Sequence, residues 1–292
     1  MNWKKWGEPQ AYLFVMPAMV PYLVFWLAPM LYIVYLSFTD WDFMAPVKNF
    51  VGFENYVKLV QDPAFAKALR TTFLFALGNV VPSLAGGLLL ALLLNRKVKG
   101  SAFFRAVIFS PWVTPTVAVS IVWAWIYEPR VGLANAILKT FGLPGLEWTQ
   151  NPDTALLAVL IVTVWKGVGW TMVFYLVALQ SIPESLNEAA TMEGANKWQR
   201  FRHIQLPLIS PTTFFLFLIT TIDAMQAYDQ IHVLTQGGPS GSTTTLLYLY
   251  YDAAFRRFNV GEASAVSLTL VLILVVISLC SLYVSRRKVH YL

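Results

Sequence analysis

Six apolar runs decide what this chain can fold into. They cover residues 12–38, 71–95, 106–127, 154–180, 208–233 and 260–284. Each approaches or exceeds the roughly 20 apolar residues that carry a helix across a bilayer core. The expectation is an all-α membrane protein with six transmembrane helices. The first run follows Lys4 and Lys5 and so resembles a secretory signal. It is too long for that and has no small-residue cleavage site before Trp26, and it is therefore read as a helix. Prolines 17, 21 and 29 predict kinks in it, which packing against neighbouring helices can absorb.

The remaining residues orient these helices. Only 12% of the chain is charged and mean hydropathy is +0.59, whereas soluble domains carry about 25% charged residues. With both termini inside, the cytoplasmic segments hold twelve Lys and Arg against four acidic residues, and the outer loops hold eight of each. Lys and Arg accumulate on the cytoplasmic side, which places both termini there. The net charge of +6 is thus a topology signal and does not call for nucleic acid. The single cysteine, Cys280, falls inside the last run, so no intrachain disulfide can form.

The first outer loop contains VGFENYVKLVQDPAF, in which Phe53, Tyr56, Val57 and Val60 recur at helical spacing. They predict a short amphipathic helix, lying on the outer membrane surface, packed on the protein's own helices, or both. The later outer loop, TQGGPSGSTTT, is rich in glycine but lacks the Gly-Lys-Ser/Thr of a phosphate-binding loop, and no such motif occurs elsewhere. The chain is therefore not its own P-loop ATPase. His203, His232 and His290 are far apart in sequence, and neither HExxH nor GxSxG is present, so no catalytic or metal-binding cluster is expected.

Two groups of residues stand out. One is the cytoplasmic stretch NEAATMEGANKWQRFRHIQLPLISP, residues 187–211, which is polar and basic between two apolar runs. Ser185 and Glu188 have the spacing of a capping box, predicting a helix from near Leu186. Gly194 suits a left-handed cap that ends it. Asn196 with Gln199 predicts a second short helix that stops before Pro207. Leu186, Ala189 and Ala190 share one face, and the small residues there admit a close neighbour. An ordinary ordered loop and a knob that docks on a soluble partner both fit this pattern. Arg200 and Arg202 fit solvent, lipid headgroups or a partner surface.

The other group lies at membrane depth. A charge near the bilayer centre costs at least about 2.5–3.5 kcal/mol, so Lys166 and Asp223, near the middle of the fourth and fifth runs, invite a functional reading. Thr163, Lys166 and Trp170 share a helical face with Gly167 beside them, and Thr220 and Asp223 share another that Ala227 continues. These residues combine an aromatic plate, hydrogen-bonding groups and small neighbours, as a sugar site requires. A structural ion pair between Lys166 and Asp223 is the alternative.

The cytoplasmic stretch resembles the signature loop of permease subunits of bacterial ABC importers. That pattern is Glu-Ala-Ala, three residues, Gly, nine residues, Ile, one residue, Leu-Pro. Here it is Glu188, Ala189, Ala190, Gly194, Ile204, Leu206 and Pro207, with every spacing met; Glu193 stands where the family favours Asp. VGFENYVKLVQDPAF and VLTQGGPSGSTTTLLYLYYDAAF resemble the carbohydrate permeases of the maltose and glycerol-3-phosphate type. The resemblance implies a type I ABC importer permease fold, a five-helix core preceded by one helix. It divides the chain into an N-terminal helix and first outer loop (1–66), a transmembrane domain (67–285) and a cytoplasmic tail (286–292). The implied partners are a second homologous permease, two ATPase subunits, an extracytoplasmic substrate-binding protein, a carbohydrate substrate and membrane lipid. ATP and magnesium belong to the ATPases and none is expected in this chain. The implied place is the bacterial inner membrane, and the implied role is sugar uptake rather than catalysis. Leu186, Glu188, Ala189, Ala190, Glu193 and Gly194 would seat a helix in a cleft of the ATPase, with Ile204, Leu206 and Pro207 leading back into the membrane. Thr163, Lys166, Gly167, Trp170, Thr220, Asp223 and Ala227 would line the sugar path. A polyol or glycerol-3-phosphate importer is the runner-up, and a secondary transporter would have no use for the signature loop.

Overall fold

A computed structural model describes residues 9–44, 46–95 and 100–288. Lys4, Lys5, Arg96, Lys97 and Lys99 of the charge pattern, and His290, lie outside these residues. The regular elements among the described residues are all helices, joined by turns and loops, with isolated bridges pairing Thr39 with Phe50 and Asp42 with Asn259. Four helices are long and apolar enough to cross a membrane, and six spans result if each of two bent helix pairs counts as one.

The chain divides into two compact units. One holds the described part of Met1–Asp62 together with Tyr250–Thr269. Helix α1 (Pro9–Tyr22) continues through a wide turn at Leu23–Leu27 into α2 (Ala28–Leu36). The wide turn lies between Pro21 and Pro29, where an inserted residue accommodates what proline removes from the regular ladder. Where α2 ends, the Asn55 amide of α3 (Glu54–Gln61) donates to the carbonyls of Ser37 at 2.9 Å and Thr39 at 2.8 Å. Phe38 packs on Phe53 and Tyr56 at ring distances of 5.3 and 5.6 Å. Helix α3 is the amphipathic helix expected, but it turns Asn55 and Leu59 inward. Phe53, Val57 and Val60 stay exposed within this unit, at 71%, 53% and 75%.

The second unit comprises Pro63–Leu249 and the described residues from Leu270 onward. Its centre is the pair α4 (Pro63–Leu94) and α8 (Pro152–Gln180), joined by a 2.8 Å bond from Thr171 Oγ1 to the Ser83 carbonyl. Small and hydroxyl-bearing residues serve helix pairing where water cannot drive it. Helix α8 starts with Asn151 accepting from Asp153 N at 2.9 Å, proline in its first turn and an acidic residue at its positive end. A core of Ala91, Met172, Tyr175, Leu176, Ile209 and Leu216 binds α4, α8 and the helix that follows the signature loop.

The structure corrects three span boundaries. The second helix begins at Pro63 rather than residue 71, because Lys67 and Arg70 end the apolar run without ending the helix; Lys67 Nζ instead bonds the Ser240 carbonyl. The third run is broken into α5 (Ser101–Val113) and α6 (Thr116–Ile126), bent by 99°. Pro115 excludes the residue before it from the helical region, and Thr114 is extended, with ψ 137°. A short α7 (Leu133–Thr140) follows. The fifth run ends as α12 (Ser210–Met225), eight residues short of 233, and a separate α13 (Asp229–Leu234) packs against α6. Beyond it come α14 (Leu246–Tyr251) and α15 (Val260–Lys288).

Candidate functional site

The signature loop folds as a helix, a glycine turn and a second helix. Helix α9 spans Glu184–Met192 and is not started by the Ser185 capping box: Pro183 is its N-cap and no side chain caps it. Its end is as expected. Gly194 sits at φ +83°, its N–H bonding Thr191 O at 3.0 Å while Ala195 N bonds Ala190 O at 2.9 Å. This pair of bonds is the left-handed termination that glycine favours. Nothing lies within 4 Å of where a Cβ on Gly194 would stand, so backbone conformation alone selects the glycine.

Asn196 caps α10 (Lys197–Arg200) as predicted, accepting from Gln199 N at 2.9 Å while Gln199 Oε1 accepts from Asn196 N at 2.8 Å. The second helix does not stop before Pro207. It widens into a π turn at Phe201–Gln205 and runs through α11 (Leu206–Leu208). The wide turn just upstream relieves the clash a proline ring would otherwise make with the carbonyl four residues earlier. Arg200, left open by the sequence, reaches back to α9.

Leu186, Glu188, Ala189, Glu193 and Gly194 are exposed, Ile204 and Pro207 half-buried, and Leu206 is 40% exposed. Ala190 is buried at 9%, so of the small pair only Ala189 is open to a neighbour. The segment Lys197–Leu208 then turns by 62° into α12. Motion of the exposed loop thereby has a covalent route into the membrane helices.

The far part of α12 reaches a partly open cavity of about 340 Å³ lined by α4, the α5–α6 break, α8, α12 and α13. Thr163, Lys166, Gly167, Trp170, Thr220 and Asp223 all line it. Ala227 does not. The helix ends at Met225, and Ala227 is turned inward where its carbonyl accepts from Thr245 Oγ1 at 3.1 Å. Among the described residues no ion pair joins Lys166 to Asp223; Lys166 Nζ instead donates to the Trp112 carbonyl at 3.1 Å.

Sequence reasoning missed Asn79, Ser83, Trp112, Thr116, Thr171 and Gln230 around the same cavity. Asn79 and Ser83 carried a signal. They are polar, one turn apart and deep in an apolar run, and Ser83 Oγ donates to Asn79 Oδ1 at 3.1 Å. Trp112 stacks on Trp170, ring centroids 5.3 Å apart and planes within 26°. The Thr220 hydroxyl is buried with no partner among the described residues. In size and in its combination of an aromatic pair with convergent polar groups the cavity resembles small-molecule pockets in general.

A family model described as the binding-protein-dependent transport system inner membrane component matches residues 83–288. The chain belongs to that family. The match takes in the Glu-Ala-Ala loop, α12 and every cavity residue from Ser83 onward. A probable ABC transporter permease protein of Bacillus subtilis (strain 168), YurN, is 37% identical over 272 residues, covering 92% of this chain and 93% of its own. The trehalose/maltose transport system permease protein MalF of Thermococcus litoralis is 36% identical over 267 residues, covering 90% and 89%. The fold is that of a bacterial alginate ABC transporter solved in complex with an alginate pentasaccharide-bound periplasmic protein. The two superpose with a TM-score of 0.84 over 97% of this chain and 96% of the other, at 23% identity. The protein is thus a multi-pass membrane permease subunit of an ATP-driven importer, with the type I permease fold.

Proposed function

We propose that this permease forms half of the translocation pathway of a carbohydrate importer in a bacterial inner membrane. It pairs with a second homologous permease, two ATPase subunits and an extracytoplasmic binding protein that delivers the sugar. Both termini and the Glu-Ala-Ala loop are cytoplasmic in this reading, and the loop after α13 is outside. This chain performs no catalysis and holds no cofactor; ATP and magnesium bind the ATPase partners. Residues 1–66 comprise an N-terminal helix and the first outer loop, 67–285 the transmembrane domain and 286–292 a cytoplasmic tail.

One observation carries the reading. The capped helix–turn–helix at 184–208 continues through the bend at Ile209 into α12, which ends beside the cavity with Thr220 and Asp223. A closing ATPase pair that moves α9 therefore displaces the wall of a polar-lined cavity. Leu186, Glu188 and Ala189 form the docking face, with Glu188 meeting a basic group of the ATPase cleft. Gly194 sets the angle of the next helix. In the cavity Trp112 and Trp170 offer a stacking plate for a sugar ring. Thr163, Thr220 and Asp223 offer hydrogen-bonding groups to its hydroxyls, and Gly167 leaves room for it.

The test is reconstitution of the four-component assembly in vesicles and measurement of ATP-dependent accumulation of labelled sugars, glycerol-3-phosphate and polyols. Accumulation of a sugar, lost in Glu188→Lys together with copurification of the ATPase, is the expected result. Accumulation of glycerol-3-phosphate or a polyol alone would replace the carbohydrate assignment, and uptake without any ATPase would overturn the whole reading.

A further inference from the structure

The break in the third span leaves a problem that one residue answers. The last four carbonyls of any α-helix have no partner within it, and at membrane depth a replacement must come from packed protein or a hydrated cavity. Helix α5 ends at Val113, so the carbonyls of Ser110 through Val113 are in that position. Thr114 Oγ1 turns back to Ser110 O at 3.2 Å. Lys166 Nζ, 54 residues away on α8, donates to Trp112 O at 3.1 Å and stands 5.1 Å from the centre of the Trp112 ring.

The surrounding contacts share the same purpose. One turn from Lys166, Gly169 meets α5 so closely that a Cβ there would fall 2.1 Å from the Ile108 carbonyl oxygen. Ile108 and Trp112 are one turn apart on α5, as Lys166 and Gly169 are on α8, so the two helices touch at two matched levels. The Trp112–Trp170 stack closes the third side. A cation at a helix C-terminus also meets the negative end of the helix dipole. Among the described residues no carboxylate lies within 4.0 Å of Nζ; Asp229 attracts it only from farther off.

We propose that Lys166 is a positioning residue. Its ammonium caps the broken end of α5 and fixes the 99° bend, and so the Trp112 wall of the cavity, against α8. Lys166 then acts on transport through Trp112 and not by touching the solute, which leaves Asp223 as the cavity's uncommitted charge. The inference rests on the membrane-embedded permease reading, but its decisive readout needs no sugar.

The test uses the assembled importer with Cys280→Ser and spin labels on Val113→Cys at the end of α5 and Val177→Cys on α8. Pulsed EPR reports the distance between them. Wild type, Lys166→Arg and Lys166→Gln should give one narrow distribution, because each side chain can donate to the carbonyl. Lys166→Met, similar in length but without a donor, should broaden or shift it. Its maximal uptake should fall about tenfold or more, the scale of a lost charged hydrogen bond. The half-saturating concentration of loaded binding protein should stay nearly constant. If only the Met variant fails to assemble, rescue of assembly by Gln gives the same support. A Met variant with the wild-type distribution, or a Gln variant as disordered as Met, overturns the proposal. So does a defect confined to half-saturation.

Discussion

Arg200 Nη1 donates a 2.8 Å hydrogen bond to Thr191 Oγ1, nine residues back across the glycine turn. The bond joins the last residue of α10 to the last turn of α9, and Gln205 Nε2 reaches Asn187 Oδ1 at 3.4 Å on the next turn of α9. Helix α9, below the roughly 12 residues that stand alone in water, is thus held to the segment after it by side chains as well as by the turn. For a lever this matters more than stability, since an unclamped pair would flex where it should transmit.

Arg200→Ala and Thr191→Val should each weaken the clamp by about 0.5–1.5 kcal/mol, and the double variant should cost little more than either alone. The expected phenotype is uncoupling: ATP is hydrolysed but less solute enters per ATP. Paired uptake and phosphate-release assays on the reconstituted importer measure it. Additive losses would mean that the two residues act separately.

At Gly194 the backbone is left-handed and space for a side chain is open. Gly194→Asn should therefore stay near wild type, because asparagine visits this region readily, while Gly194→Val should cost about 1 kcal/mol or more in strain. Copurification of the ATPase with each variant is the readout. Equal retention by Asn and Val would show that the turn does not set the docking angle.

Thr220 offers a test in which stability and function move apart. Its buried hydroxyl lacks a partner among the described residues, so Thr220→Val should leave stability unchanged or raise it by up to about 1–3 kcal/mol of relieved desolvation, read as an unchanged or higher melting temperature. Uptake should fall, since a hydroxyl offered to the solute has gone. A drop in melting temperature would place Thr220 in a structural bond instead.

Gly169→Ala should be costly despite its small size. The added carbon would meet backbone, not a flexible side chain, so α5 must move, at about 1–3 kcal/mol by the scale of overpacked cores. Thermal unfolding of the purified importer measures it, and an unchanged melting temperature would refute the close α5–α8 approach.

Cysteines placed at Lys197 and Ser240, in a Cys280→Ser background, test the topology with an impermeant thiol reagent on intact cells. Labelling at 240 and protection at 197 is expected. The reverse pattern would invert the orientation drawn from the charges.

The sequence by itself determined the membrane class, the approximate spans and both candidate sites. Apolar runs register bilayer thickness directly. The Glu-Ala-Ala spacing marks its loop without reference to the rest of the fold, and Gly194 and Asn196 act through bonds only a few residues long. Six of seven proposed cavity residues were legible: a charge or hydroxyl deep in an apolar helix marks Thr163, Lys166, Thr220 and Asp223, and helical spacing from Lys166 brings in Gly167 and Trp170. The tertiary structure decided what those groups meet. Lys166 found a carbonyl 54 residues away rather than Asp223, because α5 breaks at Thr114–Pro115 and presents its unpaired end to α8. Ala227 left the cavity because α12 stops at Met225, two residues before the helical period would have brought it round. Pro115 is the local cause of a break that the apolar run 106–127 conceals, and the 99° direction comes from Gly169, Lys166 and Trp170 on another helix. Periodicity records which face of a helix is apolar; which residue answers a broken backbone depends on contacts that only the folded chain brings together.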